Sequence, residues 1–322
     1  LVCVGKSHHN IVISLFDDAF ALGLDDYRYD VQSLGPEKVI DLLGLGTSSG
    51  LGKRLVLAAL DRGDYVIATA RSLSSIESPH FLPSTDRLKF LELDVTWDLT
   101  RMERAVENAL RFYGRIDVLV NSAGWVFKSL IEDCGVDEFK EQFDCNFFGI
   151  VQLTKLVLPQ MRERREGCAK FLVATIERHS RSLALYAASK AALRAYSETL
   201  ASEVEQFSIR VLIVEPGALR TEGIVSARHY IPVGVIPEYQ EVRNRVESHF
   251  RDGVEGKQRG DPQRAASVIV DVVRGEGKSA GRPWPLYLPL GVDGVDGVKD
   301  KCQKMLHIVD EWKDVAESID IS

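Results

Sequence analysis

The chain has 322 residues, of which 45% are hydrophobic and 27% charged, and its 47 acidic and 40 basic residues give a net charge of −7. This ordinary globular usage excludes a collagen, a coiled coil and a chain that is disordered throughout. The mild acidity argues against a basic surface for nucleic acid or for anionic lipid headgroups. At this length we expect one large α/β domain with attachments.

The cysteines and histidines argue against disulfides and metal sites. Five cysteines lie far apart and form no Cys-x-x-Cys pair, which predicts reduced thiols and a cytoplasmic protein. The seven histidines include no His-Glu-x-x-His motif, so we expect no bound metal. No apolar run reaches the length of a membrane-spanning helix, and we therefore expect no membrane span.

From residue 38 onward, short apolar runs alternate with longer helical patterns. The predicted strands are 39–43, 65–70, 89–93, 116–120, 170–174, 211–215 and 286–288. The predicted helices are 50–62, 99–112, 137–161, 186–207, 238–250, 262–273 and 298–316. This alternation predicts right-handed crossovers and a single domain with a doubly wound, Rossmann-like parallel sheet of about seven strands. Ligands of such α/β sheets bind at the carboxyl ends of the strands.

Two segments differ from this alternation. Residues 1–37 show no clear period, and we expect an N-terminal extension of uncertain order before a domain that spans 38–322. Residues 222–260 contain Pro232, Gly234 and Pro237 and predict a loop-and-helix segment that covers the substrate. The short strand near 286–288 lies between prolines, which favours a position at the edge of the sheet.

A glycine-rich loop lies between the first predicted strand and the first predicted helix. It reads Gly46-Thr47-Ser48-Ser49-Gly50-Leu51-Gly52. Glycines allow a tight turn and close approach to a pyrophosphate, which the free N–H groups of the following helix would bind. The spacing differs from Gly-x-Gly-x-x-Gly, so an ordinary Gly/Ser-rich turn remains the alternative when the loop is taken alone.

The end of the second predicted strand bears on the choice of cofactor. Arg71 lies there, nineteen residues after Gly52, and Ala70 occupies the position where an acid would hold the ribose hydroxyls of NAD. A guanidinium binds phosphate in a bidentate way. We therefore predict NADP(H), with NAD(H) possible, and the alternative is a surface arginine that ends a strand.

A tyrosine and a lysine begin the long helical stretch after residue 184. Tyr186 and Lys190 are four residues apart and therefore share one helix face. A phenol with a pKa of about 10 is a poor base at neutral pH, and a nearby ammonium lowers that pKa. Tyr186 could then exchange a proton with a substrate alcohol oxygen. Any helix can contain such a pair, so its position after the fifth predicted strand carries the argument.

Taken together, these features resemble the classical short-chain dehydrogenase/reductase family, in its fungal-type members with an extended C-terminus. The other matching features are Asp94-Val95, Asn121-Ser122-Ala123-Gly124, Asn146, and Pro216-Gly217 followed by Thr221. They follow the order of the family, at near-family spacing, over residues 39–225.

The resemblance implies a role for each matching residue. The pyrophosphate and ribose would be lined by Gly46, Ser48, Gly50, Leu51 and Gly52, and the adenine would contact Asp94 and Val95. Asn121, Ala123 and Gly124 would border the cofactor, and Pro216, Gly217 and Thr221 would seat the nicotinamide. Tyr186 would be the acid/base, with Lys190 lowering its pKa and binding the ribose and Asn146 holding a water in the proton relay. Asn121 could instead only bridge adjacent strands.

Two positions depart from the family pattern. Leu45 stands where a threonine usually precedes the first glycine, and Val173 stands where the catalytic serine is expected. Thr175 would take the place of that serine if the following loop were two residues shorter, and its hydroxyl could then polarise a substrate carbonyl. The alternative is a threonine at the end of a strand that points elsewhere.

We therefore expect an NADP(H)-dependent oxidoreductase that interconverts an alcohol and a ketone or aldehyde. Apolar residues such as Trp125, Phe127 and Ile224 predict a small apolar substrate, although core packing would also explain them. The missing serine leaves open a cofactor-binding sensor or scaffold with weak or no catalysis. The long apolar helices 137–161 and 186–207 predict a homodimer or homotetramer.

Overall fold

The structure, a computed structural model, describes residues 11–15, 41–44, 49–76, 83–165, 182–221, 236–254 and 256–321. The strands are β1 (Ile11–Leu15), β2 (Asp41–Gly44), β3 (Tyr65–Ala70), β4 (Leu88–Glu92), β5 (Val118–Asn121), β6 (Ile213–Pro216) and β7 (Tyr287–Leu290). The helices are α1 (Gly50–Asp61), α2 (Leu99–Tyr113), α3 (Val136–Phe143), α4 (Gly149–Arg164), α5 (Ala184–Val204), α6 (Gln240–Ser248), α7 (Pro262–Arg274) and α8 (Val292–Glu317). A π-helical turn, Asp144–Phe148, joins α3 to α4.

The strands form one parallel sheet in the order β4-β3-β2-β5-β1-β6-β7. From β2 the chain winds outward to β3 and β4, and from β5 it winds the other way. This reversal confirms the predicted doubly wound α/β fold, and it creates a crevice at the carboxyl ends of β2 and β5 where ligands of such folds bind.

Helices cover both faces of the sheet. On one face α1 and α7 pack against side chains such as Val66 and Ala68, and on the other α2, α4 and α5 pack against the alternate positions, such as Ile67. This double burial explains why the strands are largely apolar. It also holds the carboxyl ends of the strands in one row, where the predicted site residues lie.

Most predicted elements are present within a few residues. The predicted strand 65–70 is β3 residue for residue, and the strand near 286–288 is β7, at the edge of the sheet as expected. The predicted helix 137–161 corresponds to α3, the π-helical turn and α4, which follow one another without a gap. The predicted strand 170–174 lies outside the described residues, and so do residues 222–235 of the predicted covering segment.

The N-terminal prediction needs a correction. We expected residues 1–37 to stand outside the alternation, which is wrong for Ile11–Leu15, because β1 pairs in parallel with both β5 and β6. Its sequence, Ile-Val-Ile-Ser-Leu, is apolar and rich in β-branched residues, as a central strand requires. The prediction failed because no helical pattern accompanies this run, so the alternation of strands and helices did not reveal it.

Among the described residues, no helix combines the length and the apolar character needed to cross a bilayer.

Candidate active site

The end of the glycine loop and the loop after β6 meet at the start of α1. Gly50 has a φ of +56°, in the left-handed region that favours glycine, and a Cβ there would lie 3.9 Å from Thr221 Cβ. Ser49 precedes the helix without a side-chain capping bond, and the first turn contains no acidic residue. A helix N-terminus of this kind favours an anion, so these residues fit a pyrophosphate.

The other members of the glycine loop divide into two groups. Leu51 and Gly52 are buried, and the Leu51 side chain packs into the core beneath α1, so only its main chain could face a ligand. Gly46 and Ser48 lie outside the described residues. At the end of the neighbouring β3, Ala70 is buried and Arg71 is exposed to solvent.

Asp94 and Val95 follow β4 at the same edge of the sheet. Asp94 Oδ1 accepts hydrogen bonds from Thr96 N at 2.9 Å and from Thr96 Oγ1 at 2.8 Å, which fixes the turn. Val95 is buried against the start of α4, where a Cβ on Gly149 would lie 2.2 Å from the Val95 carbonyl oxygen. Gly149 is therefore required for this close approach, although no motif in the sequence indicated it.

Asn121 ends β5 and is completely buried. Its Nδ2 donates to Thr154 Oγ1 at 3.2 Å, which ties the strand to α4, and its Oδ1 accepts no hydrogen bond from any described residue. Next along the chain, Ala123 packs against the core on the α4 side and Gly124 is exposed.

Asn146 lies on the π-helical turn between α3 and α4, and such turns often occur at functional sites. Its Oδ1 accepts from Trp125 N at 3.1 Å, and its Nδ2 donates to Trp125 O at 3.1 Å and to Ser189 Oγ at 3.2 Å. Ser189 Oγ in turn donates to Tyr186 O at 2.8 Å. The structure thus connects the predicted Asn146 with the start of the helix that carries Tyr186 and Lys190.

Tyr186 and Lys190 lie on the first two turns of α5. Lys190 is buried, and its Nζ is 5.7 Å from the centroid of the Tyr186 ring. Burial lowers the pKa of Lys190 from 10.5 to about 8, because desolvation disfavours the charged ammonium. The ammonium also lies close to Asn146, since a Cβ on Gly124 would be 3.2 Å from Asn146 Oδ1 and 3.5 Å from Lys190 Nζ.

The Cys145 thiol is influenced by the charges of three predicted site residues. Burial raises the pKa of its thiol to about 11, while the nearby charge of Lys190 lowers it, that of Asp94 raises it and that of Arg71 lowers it. One thiol therefore lies within electrostatic reach of the predicted catalytic lysine, the predicted adenine contact and the predicted phosphate-binding arginine.

The loop after β6 is held by the end of β7 and by the first turn of α8. Gly217 N donates to Leu290 O at 2.8 Å, and Ala218 N donates to Asp293 Oδ2 at 2.8 Å. A Cβ on Gly217 would lie 2.2 Å from Asp293 Oδ1, so the contact requires glycine. Sequence reasoning identified Pro216, Gly217 and Thr221 but missed Asp293, because no local pattern links it to a loop 75 residues earlier.

The structure therefore forms two groups from the predicted site residues. One group contains Gly124, Asn146, Tyr186 and Lys190. The other contains Gly50 and Thr221. Thr175 lies outside the described residues. The first group places a phenol beside a buried ammonium, which is an arrangement suited to proton transfer.

Known proteins share both the sequence pattern and the fold. The family model described as short chain dehydrogenase matches residues 42–230. The oxidoreductase BOA17 of Botryotinia fuckeliana is 32% identical over 274 residues, which cover 84% of this chain and 96% of that protein. The uncharacterized oxidoreductase YusZ of Bacillus subtilis is 33% identical over 233 residues, or 70% of this chain and 81% of that protein. A solved short-chain dehydrogenase from Streptomyces avermitilis is 34% identical, with a TM-score of 0.73 over 88% of this chain and 100% of that chain.

Proposed function

The chain belongs to the short-chain dehydrogenase family, and from this premise we propose that it is an NADP(H)-dependent oxidoreductase that interconverts an alcohol and a ketone or aldehyde. The observation that carries the proposal is the pairing of Tyr186 with the buried Lys190, beside the hydrogen-bonded Asn146. A merely structural helix gains nothing from a buried ammonium next to a phenol, because burying that charge is costly.

In this proposal each side chain has a distinct task. Tyr186 donates a proton to the carbonyl oxygen in reduction and removes it from the hydroxyl in oxidation. The Lys190 ammonium lowers the pKa of the phenol. Asn146, held by Trp125 and Ser189, supports the proton relay behind them. When bound, the nicotinamide would supply or accept the hydride.

The preference for NADP(H) rests on the end of β3. The Arg71 guanidinium is exposed there, and the neighbouring Ala70 offers no carboxylate to hold the ribose hydroxyls. An arginine at this place suits a 2′-phosphate, and NAD(H) is the alternative. The uncapped start of α1 and the left-handed Gly50 support pyrophosphate binding by either cofactor.

The role of the family's serine remains a proposal from spacing. Thr175 would supply the hydroxyl that polarises the substrate carbonyl. Val173, which occupies the serine position, favours a second candidate function, a cofactor-binding sensor or scaffold with weak or no catalysis. Loss of one such donor costs on the order of a hundredfold to a thousandfold in rate.

Turnover of NADPH with a panel of apolar aldehydes and ketones tests the proposal. We expect the wild-type chain to turn over, and Tyr186→Phe to lose about a hundredfold or more while binding NADPH equally well. Tyr196→Phe is the matched control, since Tyr196 lies on the same helix and packs against Phe147. Activity that survives in Tyr186→Phe would contradict the acid/base role. NADPH binding without turnover in the wild type would instead favour the sensor.

We also propose a homodimer or homotetramer. The long helical segments α3–α4 and α5 support it, and Phe148 on the first of them is 56% exposed. Sedimentation velocity of the purified chain would measure the state, and a monomer at micromolar concentration would contradict the proposal.

A further inference from the structure

Gln142 is a buried polar residue that the proposed chemistry does not use. It lies near the end of α3, one helical turn before Asn146, and its side chain is completely buried. Its Oε1 accepts from Phe127 N at 2.9 Å, and its Nε2 donates to Trp125 O at 2.8 Å. One acceptor and one donor, offered to main-chain groups two residues apart, are what a neighbouring strand would provide.

Asn146 completes the attachment of this segment. The two amides share one helix face, and Asn146 bonds both the N–H and the carbonyl of Trp125. The main chain of residues 125–127 is therefore held by four hydrogen bonds from two side chains, although no strand of the sheet pairs with it among the described strands. An apolar residue at position 142 could fill the same space. It would, however, remove the bond from Phe127 N–H to position 142 and one of the two side-chain bonds to the Trp125 carbonyl.

These four hydrogen bonds fix the main chain that carries the aromatic rings of Trp125 and Phe127. The rings of Trp125 and Phe127, two residues apart in the chain, make a T-shaped contact with centroids 5.7 Å apart. Both side chains are only partly buried. Trp125 is also connected through Asn146 and Ser189 to the main chain of Tyr186, so the pair of rings is tied to the candidate catalytic helix.

We propose that Gln142 is a positioning residue for substrate specificity. By fixing the main chain of Trp125 and Phe127, it holds the two rings as an apolar wall for the bulky group beside the reacting carbonyl. The inference rests on the proposed oxidoreductase function. Gln142 touches no reacting atom, so its loss should impair bulky substrates selectively rather than the chemical step in general.

One variant of Gln142 removes both of its bonds. Gln142→Met keeps the length of the side chain but can neither accept from Phe127 N nor donate to Trp125 O. We expect it to lower the ratio of kcat/KM for acetophenone to kcat/KM for acetone about tenfold or more, since each lost hydrogen bond corresponds to a factor of up to about ten. The Kd of NADPH and the kcat for acetone should stay within about twofold.

Gln160→Met is the matched control. Gln160 lies on α4 and donates from Nε2 to the main-chain Ile116 O at 3.1 Å, a bond of the same type at the opposite edge of the sheet. Its loss should leave the substrate ratio unchanged. A Gln142→Met enzyme that folds and keeps the wild-type ratio would overturn the proposal. If Gln142→Met does not fold, Phe127→Ala removes the wall directly, and an unchanged ratio in that variant would overturn it as well.

A second measurement separates this inference from the proposed function. If the wild type reduces neither ketone, the proposed function fails for these substrates, but amide hydrogen exchange still reports on the attachment. We expect the Phe127 N–H to exchange at least about tenfold faster in Gln142→Met, because its acceptor is gone. Unchanged exchange would overturn the positioning role, whatever the activity.

Discussion

Asn146 and Lys190 approach each other over Gly124. A Cβ on residue 124 would lie 3.2 Å from Asn146 Oδ1 and 3.5 Å from Lys190 Nζ. The three residues come from a π-helical turn, from α5 and from the segment after β5, so three separate elements converge on this space. Three hydrogen bonds hold the Asn146 side chain in place, so it cannot easily move aside.

A methyl group at position 124 should therefore press on Asn146 Oδ1, while Lys190 Nζ would stay at an ordinary van der Waals distance. We expect Gly124→Ala to lower kcat/KM about tenfold and the free energy of unfolding by only about 1 kcal/mol, because the hydrogen-bonded Asn146 side chain has to give by only a few tenths of an ångström. Steady-state kinetics and urea denaturation measure the two effects. Full activity in Gly124→Ala would show that this space plays no part in the proton relay.

The buried charge of Lys190 predicts a conflict between stability and activity. Burial lowers its pKa to about 8, against 10.5 for the ordinary group, so between these values the unfolded chain binds more protons than the native one. This residue therefore makes the free energy of unfolding rise with pH across that window. Lys190→Met should raise the free energy of unfolding at neutral pH by about 2 kcal/mol, remove that part of the slope and abolish turnover.

Urea denaturation of the cofactor-free chain between pH 7 and pH 10 measures this slope. Other groups titrate in the same range, so the quantity of interest is the difference between variant and wild type at each pH. Lys299→Met, at an exposed position on α8, is the control and should leave the slope unchanged. Equal slopes in Lys190→Met and the wild type would show that the Lys190 charge is not desolvated.

Elements with strong local patterns could be predicted from the sequence. β3 is apolar except for Thr69 and was predicted residue for residue, and the spacing of Tyr186 and Lys190 placed both on one helix face. The π-helical turn could not be predicted, because its extra residue per turn leaves no mark in composition or in a period of about 3.6. The place of Asn146 in a proton relay, by contrast, was implied by the family resemblance alone.

Residues that act through distant contacts were not predictable. Asp293 holds Ala218 across 75 positions, and Gln142 looks like any polar residue of an amphipathic helix until its two main-chain partners are known. β1 was missed for a different reason, since a strand without a recognisable helix beside it in sequence gives no repeating unit. Local patterns thus specify elements, while the contacts between elements specify much of the site.

Arg71 should decide between the two nicotinamide cofactors. We expect Arg71→Ala to weaken NADPH binding by about tenfold to a hundredfold and NADH binding by less than about twofold, because only NADPH carries the 2′-phosphate. Fluorescence titration with each reduced cofactor measures both constants. Arg111→Ala, at an exposed position in the last turn of α2, controls for the lost charge. An equal loss for both cofactors would contradict the assignment.

A buried ionic cluster links the candidate catalytic helix to the last strands of the sheet. Arg194, one turn after Lys190, places Nη1 3.0 Å from Glu215 Oε1 and Nε 2.7 Å from Glu198 Oε1. Tyr287 OH donates to Glu198 Oε1 at 2.7 Å. The Arg194 and Glu215 side chains are 4% and 2% exposed, so neither charge has much contact with solvent.

Replacing Arg194 alone should lower the free energy of unfolding more than replacing Arg194 and Glu215 together. Arg194→Met keeps the volume but leaves the Glu215 carboxylate buried without its cation, and we expect the free energy of unfolding to fall by about 3–5 kcal/mol. The double variant Arg194→Met, Glu215→Gln should recover more than half of that loss, because the uncompensated charge is gone. Urea denaturation of the four proteins in this cycle measures the coupling. The exposed pair of Arg111 and Glu107 is the control, and breaking it should cost less than about 1 kcal/mol. A double variant no more stable than Arg194→Met would mean that packing, and not charge compensation, makes the cluster important.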